Sequence, residues 1–390
     1  MNPDAIAHGM NGTLVKADWA PLTPSEIEGV LRLYPSLGGP ARILFTSPRP
    51  FSAAAVVETQ GGRVFVKRHH RLVRDREGLL EEHRFIEHLY GNGAAVPRVL
   101  ATSTDETAIA IDDWTYEVHE APAGVDIYRD AHSWTPFRST QHAWSAGQAL
   151  ARMHVAARGH DAPRRGIQPL VSSFTIFAAK DPFKALNEYV EARPALRQSR
   201  QTSDACNEAL ELLAPFHAEL MPLLPALEPL WTHNDLHASN LLWSGAGDDA
   251  HATAIIDFGL ADRTNAVHDL ALAIERNVVE WLALGADSKR AGALPVHFDA
   301  LGALLGGYES VRALSAEEAQ ALAPMTAVCH AEFALSEADY FLGVLHSEEK
   351  AKLAFDYLVN HARWFRREAG AVLLDAIRSW PFSGREGGAA

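Results

Sequence analysis

The chain has 390 residues, of which 47% are hydrophobic and 22% are charged, the profile of a globular protein with ample material for a buried core. Its formal net charge of −14 would repel nucleic acid phosphates and an anionic membrane surface, so we expect neither as a partner. Because the sequence has no apolar run of membrane-spanning length, no signal-peptide pattern at its start and two cysteines in all, we expect a cytoplasmic protein without a disulfide framework.

The first predicted element is a short helix that begins at Pro24. Thr23 precedes it as a capping residue, and Glu26 stands three places further on, which is the pattern of a capping box. The sequence therefore predicts a helical extension in front of the first strand.

From Ala41 onward the pattern changes to short β-strands. Apolar runs bounded by turn residues predict three strands in hairpin succession, a helix that stops at Gly91-Asn92-Gly93, and two more strands. The predicted ranges are strands at 42–45, 54–60 and 63–68, a helix at 76–90, and strands at 108–111 and 116–120. The segment Ala121-Pro122-Ala123-Gly124 then breaks the pattern.

After this break the pattern is mainly helical, apart from one β island between 230 and 256. Apolar periodicity indicates a series of helices on both sides of the island. The predicted helices lie near 142–159, 183–192, 204–221, 266–284, 315–346 and 348–378.

The most informative stretch is WTHNDLHASNLLWSGAGDDAHATAIIDFGLADRTNAVHD, from Trp231 to Asp269. Within it, Asn240 follows Asp235 by five positions, and Asp257 opens an Asp-Phe-Gly at the end of an apolar strand. Either fragment alone is common turn chemistry. The two fragments seldom occur together by chance in this order with strands between them, so the combined pattern is much more specific than either fragment.

This joint pattern resembles the aminoglycoside phosphotransferase and choline kinase branch of the kinase-like superfamily, whose signature runs His-Gly-Asp-Leu-His-x-x-Asn and then Ile-Asp-Phe/Trp-Gly. The match extends to Asp269-Leu270-Ala271. The resemblance implies an α+β, bilobal protein-kinase-like fold, with a small antiparallel β N-lobe carrying one main helix and a larger, mostly helical C-lobe. It divides the chain into an N-terminal helical extension (1–37), a nucleotide-binding N-lobe (38–122) and a catalytic, acceptor-binding C-lobe (123–390).

The resemblance also implies a role for each polar residue of the signature. Phosphoryl transfer depends mostly on positioning and on electrostatic stabilisation by metal ions. Mg²⁺ prefers hard oxygen ligands, so we expect the Asp257 carboxylate and the Asn240 amide oxygen to hold it. Asp235 is the expected catalytic base, which accepts the proton of the acceptor hydroxyl. We expect His233 to brace the backbone of this loop.

The first half of the chain supplies the residues that the resemblance requires for a nucleotide. Lys67, on the third predicted strand, is expected to hold the α and β phosphates. Glu82, on the next helix, is expected to pair with Lys67, with Glu81 as the alternative. The loop over 46–53 would cover the phosphates without a glycine, so we expect hydroxyl contacts there, including that of Ser52.

The break after Glu120 occupies the position of the hinge between the two lobes, where backbone groups would bind the nucleotide base. Pro122 has no N–H to donate. We therefore expect base recognition from the backbone of Glu120 and Ala123. ATP is the expected nucleotide, and GTP is the alternative.

The sequence thus predicts an ATP- and Mg²⁺-dependent kinase that phosphorylates a hydroxyl of a small molecule, as a monomer or homodimer. A protein Ser/Thr kinase fits less well, because eleven residues separate Asp257 from Asp269 and no Ala-Pro-Glu follows. A catalytically silent nucleotide-binding regulator is the other alternative. Such a regulator would typically lack a charged catalytic residue, whereas Lys67, Asp235 and Asn240 are all present with Asp257.

The acceptor itself is not specified by these motifs, because one fold serves many substrates. An amino alcohol, an aminoglycoside or a sugar-like molecule would each fit, and the acidic balance slightly favours an amine. The polar residues that we consider as acceptor contacts are Glu275, Asn277, Glu332 and Asp339, each of which also fits a solvated helix face.

The 19 histidines do not show a metal-hydrolase spacing such as His-Glu-x-x-His. In the basic stretch 67–76, we expect His69, His70 and the arginines to be solvated, with Lys67 as the exception. His154, which has apolar neighbours at helical spacing, is expected in the core.

Overall fold

An antiparallel strand pair and a short helix open the chain. The computed structural model describes residues 6–8, 14–39, 41–282 and 295–384. Strand β1 (Ile6–His8) pairs with β2 (Leu14–Lys16), which the sequence did not predict, and helix α1 (Pro24–Leu31) follows as predicted. The capping box is formed, because the Thr23 hydroxyl accepts from the N–H of Glu26 at 3.3 Å and the Glu26 carboxylate accepts from the N–H of Thr23 at 3.2 Å.

The next part of the chain forms the predicted antiparallel sheet. Its elements are β3 (Arg42–Thr46), β4 (Ala53–Thr59), β5 (Gly62–His70), α2 (Arg76–Gly91), β6 (Ile109–Ile111) and β7 (Trp114–Glu120). Within the described residues the sheet has five strands in the order β3-β4-β5-β7-β6. Strand β5, which carries Lys67, is therefore central and is paired on both sides.

Helix α2 anchors the sheet to the rest of the molecule. The Asp75 side chain caps its first turn by accepting a backbone N–H at 2.8 Å. On its buried face, the ring of Phe85 packs against Trp231 and Phe258, which belong to the helical half of the chain. Glu82, on the same helix, is buried as well.

The remainder of the chain is largely helical, as predicted. Its elements are α3 (Thr140–Ala157), α4 (Pro182–Glu191), α5 (Pro194–Gln198), α6 (Arg200–Leu220), β8 (Pro229–Thr232), β9 (Leu241–Trp243), β10 (Ala252–Ile255), β11 (Asp262–Asn265), α7 (Ala266–Val278), α8 (Phe298–Glu309), α9 (Ala316–Val328), α10 (Ala331–Gly343), α11 (Glu348–Phe365) and α12 (Glu368–Ser379). Strand β8 pairs with β11, and β9 pairs with β10. These two pairs form the predicted β island and its continuation.

Three predicted helices have different bounds in the structure. The predicted helix 315–346 is the two helices α9 and α10, and 348–378 is the two helices α11 and α12. The apolar periodicity continues through both breaks, so the pattern does not reveal the change in direction. The predicted helix 266–284 ends as α7 at Val278, and residues 283–294 lie outside the described residues.

Helix α8 was not predicted, because its glycines at 302, 306 and 307 disfavour a helix by intrinsic propensity. Gly306 and Gly307 face α3 at close range, whereas Gly302 faces the ring of Trp380. A Cβ atom at Gly307 would clash with the carbonyl oxygen of Trp144, and one at Gly147 of α3 would clash with that of Leu304. The close packing of the two helices therefore offsets the low propensity of α8.

Apolar residues form two clusters within the described residues. In the smaller cluster, Ile27 and Val30 of α1 pack against Val57, Val66 and Val118 on one face of the sheet. The larger cluster runs through the helical half and includes the apolar face of α2. Among the described residues, no helix combines the length and the apolar character that crossing a membrane requires.

Candidate active site

The loop after β8 carries the predicted catalytic base and is held by a buried aspartate. The carboxylate of Asp269, in the first turn of α7, accepts from the N–H of His233 at 2.9 Å and from that of Asn234 at 2.8 Å. His154 Nε2, buried as predicted, lies 3.0 Å from the same carboxylate. Burial opposes the charge of Asp269, but the contact with His154 and the backbone outweighs it and lowers the pKa of Asp269. The sequence did not assign this anchoring role.

His233 ties the same loop to the strand end that carries Asp257. Its Nε2 donates to the carbonyl oxygen of Ile256 at 3.0 Å, and its Nδ1 accepts from the N–H of Asp235 at 3.2 Å. Asn234 and Asp257 have φ values of +60° and +63°, which non-glycine residues seldom adopt. The backbone bracing expected of His233 is thus present in the structure.

Two side chains donate hydrogen bonds to the carboxylate of Asp235, and His237 Nε2 lies 3.7 Å from its Oδ2. Asn240 donates its amide N–H to Oδ2 at 3.0 Å, and Arg276 donates to Oδ1. Arg276 is fully buried on α7 and also donates to the carbonyl oxygen of Asn234 at 3.0 Å. Burial raises the pKa of Asp235, and the charge of Arg276 opposes that rise. The sequence did not point to Arg276, which lies 41 positions beyond Asp235.

Asp257 forms an ion pair with Lys67. The Lys67 Nζ, which projects from β5, lies 2.8 Å from Asp257 Oδ1. The lysine is buried, whereas the aspartate side chain is 40% exposed. Burial opposes the charge of Asp257, but the ammonium of Lys67 lowers the pKa of Asp257 to about 2. The carboxylate is therefore ionised at neutral pH.

Five of the predicted site residues line one cavity between the sheet and the helical half. The cavity has a volume of about 130 Å³. These five residues are Ser52, Lys67, Asp235, Asn240 and Asp257. The two aspartates therefore face the same space, which a transfer between a metal-bound phosphate and an acceptor hydroxyl requires.

The oxygen atoms at this cavity suit a magnesium ion. Asn240 directs its amide nitrogen to Asp235, so its carbonyl oxygen is the atom that remains for a metal. Asp257 is ionised and borders the same cavity. A carboxylate and an amide oxygen, completed by phosphate oxygens and water, are ligands that Mg²⁺ prefers. The residues that the sequence selected for the metal thus fit it chemically.

The predicted ion pair between Lys67 and Glu82 is not formed. Within the described residues, the ion-pair partner of Lys67 is Asp257. Glu82 instead lies 3.3 Å from a guanidinium nitrogen of Arg165, which also donates to the carbonyl oxygen of Gly259 at 2.9 Å. The sequence could not indicate this partner, because Arg165 lies in an irregular loop far from α2 in the chain.

The predicted hinge residues join the sheet to the helical half, outside the cavity lining. The N–H of Glu120 donates to the carbonyl oxygen of Arg98 at 2.9 Å, and its exposed carboxylate lies 3.6 Å from the Arg98 guanidinium. The carbonyl oxygen of Ala123 accepts from the Thr253 hydroxyl at 2.9 Å. Contacts of Glu120 and Ala123 with a nucleotide base stay a prediction.

The four residues considered as acceptor contacts have other partners. Among the described residues, the cavity lining includes none of the four. The contacts are Glu275 with His361 at 2.6 Å, Asn277 with the carbonyl oxygen of Leu236 at 2.8 Å, Glu332 with the N–H of Ile176 at 2.6 Å, and Asp339 with Arg193 at 3.8 Å. Their expected role at the acceptor is therefore not supported.

An acidic residue that the sequence did not single out, Glu337 on α10, lines the cavity instead. Its side chain is 1% exposed, and its Oε2 has no hydrogen-bond partner in the part of the chain that the structure describes. Burial raises the pKa of Glu337 well above the usual range of a glutamate. The rings of Trp134 and Phe333 line the same cavity. In the sequence, Glu337 is simply one polar residue within an apolar helix.

Two residues of the basic stretch line the cavity rather than facing solvent. His69 is 4% exposed and Arg74 is 2% exposed. The expectation that both are solvated is wrong. Strand β5 continues to His70, two residues beyond its predicted end, and so includes His69; Arg68, on the same strand, is buried as well. Arg74 is held by carbonyl oxygens, including that of Pro169 at 2.7 Å.

Arg49 brings a further cation to the cavity from the loop between β3 and β4. Its Nη1 donates to the hydroxyl of Ser133 at 3.0 Å and to the carbonyl oxygen of Ala131 at 3.2 Å. In the same loop, the ring of Phe51 meets that of Tyr340 edge-on, with centroids 5.4 Å apart. The loop predicted to cover the phosphates is thus anchored on the helical half, and it offers a guanidinium that the sequence did not single out.

The fold and the cleft together define a protein of the kinase-like phosphotransferase class, in which a lysine from the sheet meets carboxylate and amide side chains from a helical lobe. Residues 49–314 match the phosphotransferase enzyme family. The chain therefore belongs to that family.

Solved structures with the same fold include several small-molecule kinases. A microcompartment-associated aminopropanol kinase is similar with a TM-score of 0.57 at 15% identity, over 90% of this chain and 98% of the other. An amicoumacin kinase in complex with AMP-PNP, Ca²⁺ and Ami gives a TM-score of 0.54 at 14% identity, over 86% and 91%. An aminoglycoside phosphotransferase from Alicyclobacillus acidocaldarius gives 0.50 at 17% identity, over 92% and 96%. No curated protein sequence matches the chain.

Proposed function

We propose that the protein is an ATP-dependent kinase that transfers the γ-phosphate to a hydroxyl of a small molecule. The observation that carries this proposal is the meeting of Lys67, Asp235, Asn240 and Asp257 at one cavity. A protein that bound nucleotide without turning it over would have no use for Asp235, which is held at the acceptor end by Asn240 and Arg276. Family membership supports the same conclusion.

The nucleotide end of the cavity carries the charges that a triphosphate needs. Lys67 and Arg49 contribute positive charge there, and Ser52 adds a hydroxyl. Asp257 and Asn240 would hold Mg²⁺, which, when bound, neutralises part of the phosphate charge. This set of groups matches the requirements of phosphoryl transfer.

The division of the chain follows from this assignment. We place the nucleotide-binding lobe at 38–122 and the catalytic, acceptor-binding lobe at 123–390, with the helical extension 1–37 before them. Glu120 and Ala123, at the junction, are the proposed contacts of the base. ATP is the favoured nucleotide, and GTP is the alternative.

Asp235 acts on the acceptor in this proposal. It accepts the proton of the acceptor hydroxyl while the hydroxyl oxygen bonds to the γ-phosphorus, and the bond from that phosphorus to the β,γ-bridging oxygen breaks to release ADP. The base has to be ionised before the transfer. Arg276 favours the ionised form, because its charge opposes the effect of burial on the pKa of Asp235.

The acceptor end favours a compact amine. Asp235 and Glu337 line the cavity, and an ammonium group bound beside Glu337 would oppose the effect of burial on its pKa and favour its ionised form. An ammonium group would give Oε2 of the buried Glu337 the partner that this atom lacks among the described residues. The cavity of about 130 Å³ would also have to admit the end of the triphosphate, which leaves the acceptor far less room than the roughly 300–1,000 Å³ typical of sites for drug-sized ligands. We therefore favour a small amino alcohol over a multi-ring aminoglycoside.

The experiment that tests the function measures ADP release with Mg-ATP across compact amino alcohols, an aminoglycoside, a sugar and an uncharged diol. We expect the highest kcat/KM with a compact amino alcohol. Asp235→Asn should abolish turnover while Mg-ADP binding, measured by calorimetry, persists. Glu337→Gln should raise the KM of the amine about tenfold or more and leave that of the diol unchanged.

Two results would overturn parts of this proposal. If no acceptor raised ADP release above the level of Asp235→Asn, the silent nucleotide-binding regulator would replace the kinase. If the aminoglycoside gave the highest kcat/KM, or if Glu337→Gln affected amine and diol equally, the assignment of a compact amine would fail while the kinase activity stood.

A further inference from the structure

A buried polar group lies behind the nucleotide end of the cavity, and we call it the Glu117 cluster. It consists of Glu117 and three histidines, 69, 83 and 119, all of them buried. His69 Nε2 lies 2.8 Å from Glu117 Oε1, and the Nε2 atoms of His83 and His119 lie 2.9 and 2.7 Å from Oε2. Both carboxylate oxygens are therefore bonded, and the Glu117 side chain is fixed from three directions.

The Glu117 cluster faces Lys67. In the antiparallel pairing of β5 with β7, Lys67 stands directly opposite Glu117. Residues in such a pair project from the same face of the sheet, with Cβ atoms about 4.5–5.5 Å apart. His69, two positions after Lys67 on the same strand, lines the cavity and reaches Glu117. The Glu117 carboxylate thus lies one side chain behind the place where phosphates would bind.

Two other carboxylates near Lys67, those of Glu82 and Asp257, are engaged by other groups or would be when a metal binds. Glu82 is bonded to the buried guanidinium of Arg165. Asp257 pairs with Lys67 here, but a metal ion at Asp257 would share that carboxylate and weaken its hold on the ammonium. Burial opposes the charge of Lys67, but Asp257 first, then Glu117 and then Glu82, raise its pKa. Glu117 is the carboxylate that remains available to Lys67 when Asp257 binds metal.

A metal site at the Glu117 cluster explains its geometry less well. His83, Glu117 and His119 could supply ligand atoms. The N···O separations of 2.7 and 2.9 Å are hydrogen-bond distances, whereas a tetrahedral zinc with bonds of about 2.0–2.1 Å would hold its ligands about 3.3 Å apart. A divalent cation would also add to the positive charge of Lys67. Imidazole N–H groups bonded to one buried carboxylate account for the arrangement without an ion.

We propose that Glu117, fixed by the three histidines, positions Lys67 for the nucleotide phosphates, the task that the sequence assigned to Glu82. This inference rests on the proposed kinase function and identifies a positioning residue for it. Glu117 acts through Lys67, so its removal affects the nucleotide and spares the acceptor, whereas a general loss of folding would affect both.

The test compares Glu117→Gln, Glu117→Asp and Glu82→Gln with the wild type, with the exposed Glu106→Gln as the matched control. The measurements are Mg-ADP affinity by calorimetry, the separate KM values of ATP and acceptor, and the melting temperature. We expect Glu117→Gln to weaken Mg-ADP binding and raise the KM of ATP about tenfold or more, with the acceptor KM unchanged. Glu117→Asp, which keeps the charge, should fall between Glu117→Gln and the wild type.

The comparison with Glu82 decides the assignment. We expect Glu82→Gln to lower the melting temperature through Arg165 and to change the KM of ATP by less than about twofold. The reverse result, in which Glu82→Gln loses nucleotide affinity and Glu117→Gln does not, would overturn the inference, as would an equal rise in both KM values for Glu117→Gln. If Glu117→Gln does not fold, Glu117→Asp decides by the same split. A wild type that binds Mg-ADP but phosphorylates no acceptor would defeat the proposed function alone, because the affinity comparison needs no turnover.

Discussion

The guanidinium of Arg276 donates to the carboxylate of Asp235 and also to the carbonyl oxygen of Asn234, which directly precedes Asp235 in the chain. A single buried side chain of α7 therefore fixes the backbone and the carboxylate of the proposed base together. Such a charge-assisted contact, removed from water, is among the stronger interactions that one side chain can make. It also opposes protonation of a carboxylate whose pKa burial would otherwise raise further.

Replacing Arg276 tests this relationship. In Arg276→Met we expect kcat to fall about 10- to 100-fold, because a hydrogen bond to a charged group contributes about 1.5–3 kcal/mol. The KM of ATP should be preserved, since Arg276 contacts the acceptor end. Steady-state kinetics with each substrate varied measures both quantities. Arg363→Met, at an exposed ion pair with Glu208, is the control, and an equal loss in the two variants would contradict the role of Arg276.

Arg49 should act at the nucleotide. In Arg49→Ala we expect the KM of ATP to rise, or kcat to fall, by about tenfold or more, because the variant removes a cavity-lining cation from the loop expected to cover the phosphates. Arg42→Ala, in the exposed ion pair with Glu58 on the neighbouring strand, is the matched control. Arg49 has no part in phosphate binding if both variants retain wild-type kinetics.

Removal of the Asp257 charge should uncouple the metal from the nucleotide. In Asp257→Asn we expect ADP affinity in Mg²⁺ to fall about tenfold or more, whereas ADP affinity in a chelator changes little. Calorimetric titrations under the two conditions measure the difference. The exposed Asp356→Asn serves as the control, and a loss of equal size with and without Mg²⁺ would speak against a metal ligand at Asp257.

Asp269 should make the stability of the protein depend on pH. The folded state lowers the pKa of Asp269, so the stabilisation that it provides is present above the unfolded value of about 3.9 and is lost as the pH falls through the folded value. Burial lowers the pKa of His154, which also destabilises the folded state as the pH falls below about 6.5. In Asp269→Asn we expect the free energy of unfolding at neutral pH to fall by about 3–5 kcal/mol.

Urea titrations of the wild type and of Asp269→Asn, made between about pH 7 and pH 3, provide this measurement. The gap between the two proteins should narrow toward the acid end, where the aspartate is protonated. A gap that is constant over the whole range would show that the Asp269 charge is not what stabilises the fold.

The contact of α3 with α8 should tolerate no side chain at its glycines. In Gly147→Ala the added Cβ would clash with the carbonyl oxygen of Leu304, and overpacking of this kind costs about 1–3 kcal/mol of stability. Gly166→Ala is the control, because no described atom lies within 4 Å of the place that its Cβ would take. Chemical denaturation compares the two variants, and we expect Gly166→Ala to match the wild type.

The sheet and most of the helices could be predicted because their signals are local. Strand alternation, the stop at Gly91-Asn92-Gly93 and the capping box at Thr23 each depend on residues a few positions apart. Helix α8 was missed, because Gly306 and Gly307 are explained by their close contact with the neighbouring helix α3 and not by the sequence of α8 itself. The sequence also did not reveal the breaks within 315–346 and 348–378, because apolar periodicity continues across a change in helix direction.

The residues of the candidate active site also differ in whether a local signal in the sequence indicates them. Asp235, Asn240 and Asp257 could be identified because one short stretch of chain carries all three. Arg276 and Glu337 could not, because each reaches the cavity from a helix whose side-chain directions depend on tertiary packing. The unexpected partner of Glu82 has a similar origin, since its place on α2 matches the expectation while the buried Arg165 comes from a distant loop.

The contact of Phe51 with Tyr340 has a consequence for timing. The sheet is joined to the helical half covalently through 121–124 and touches it again through this pair of rings. If the 46–53 loop covers the phosphates as expected, this contact holds it closed, and ADP would leave after the two rings separate. A small side chain at position 51 would then increase the rate of ADP release and leave the rate of the chemical step unchanged.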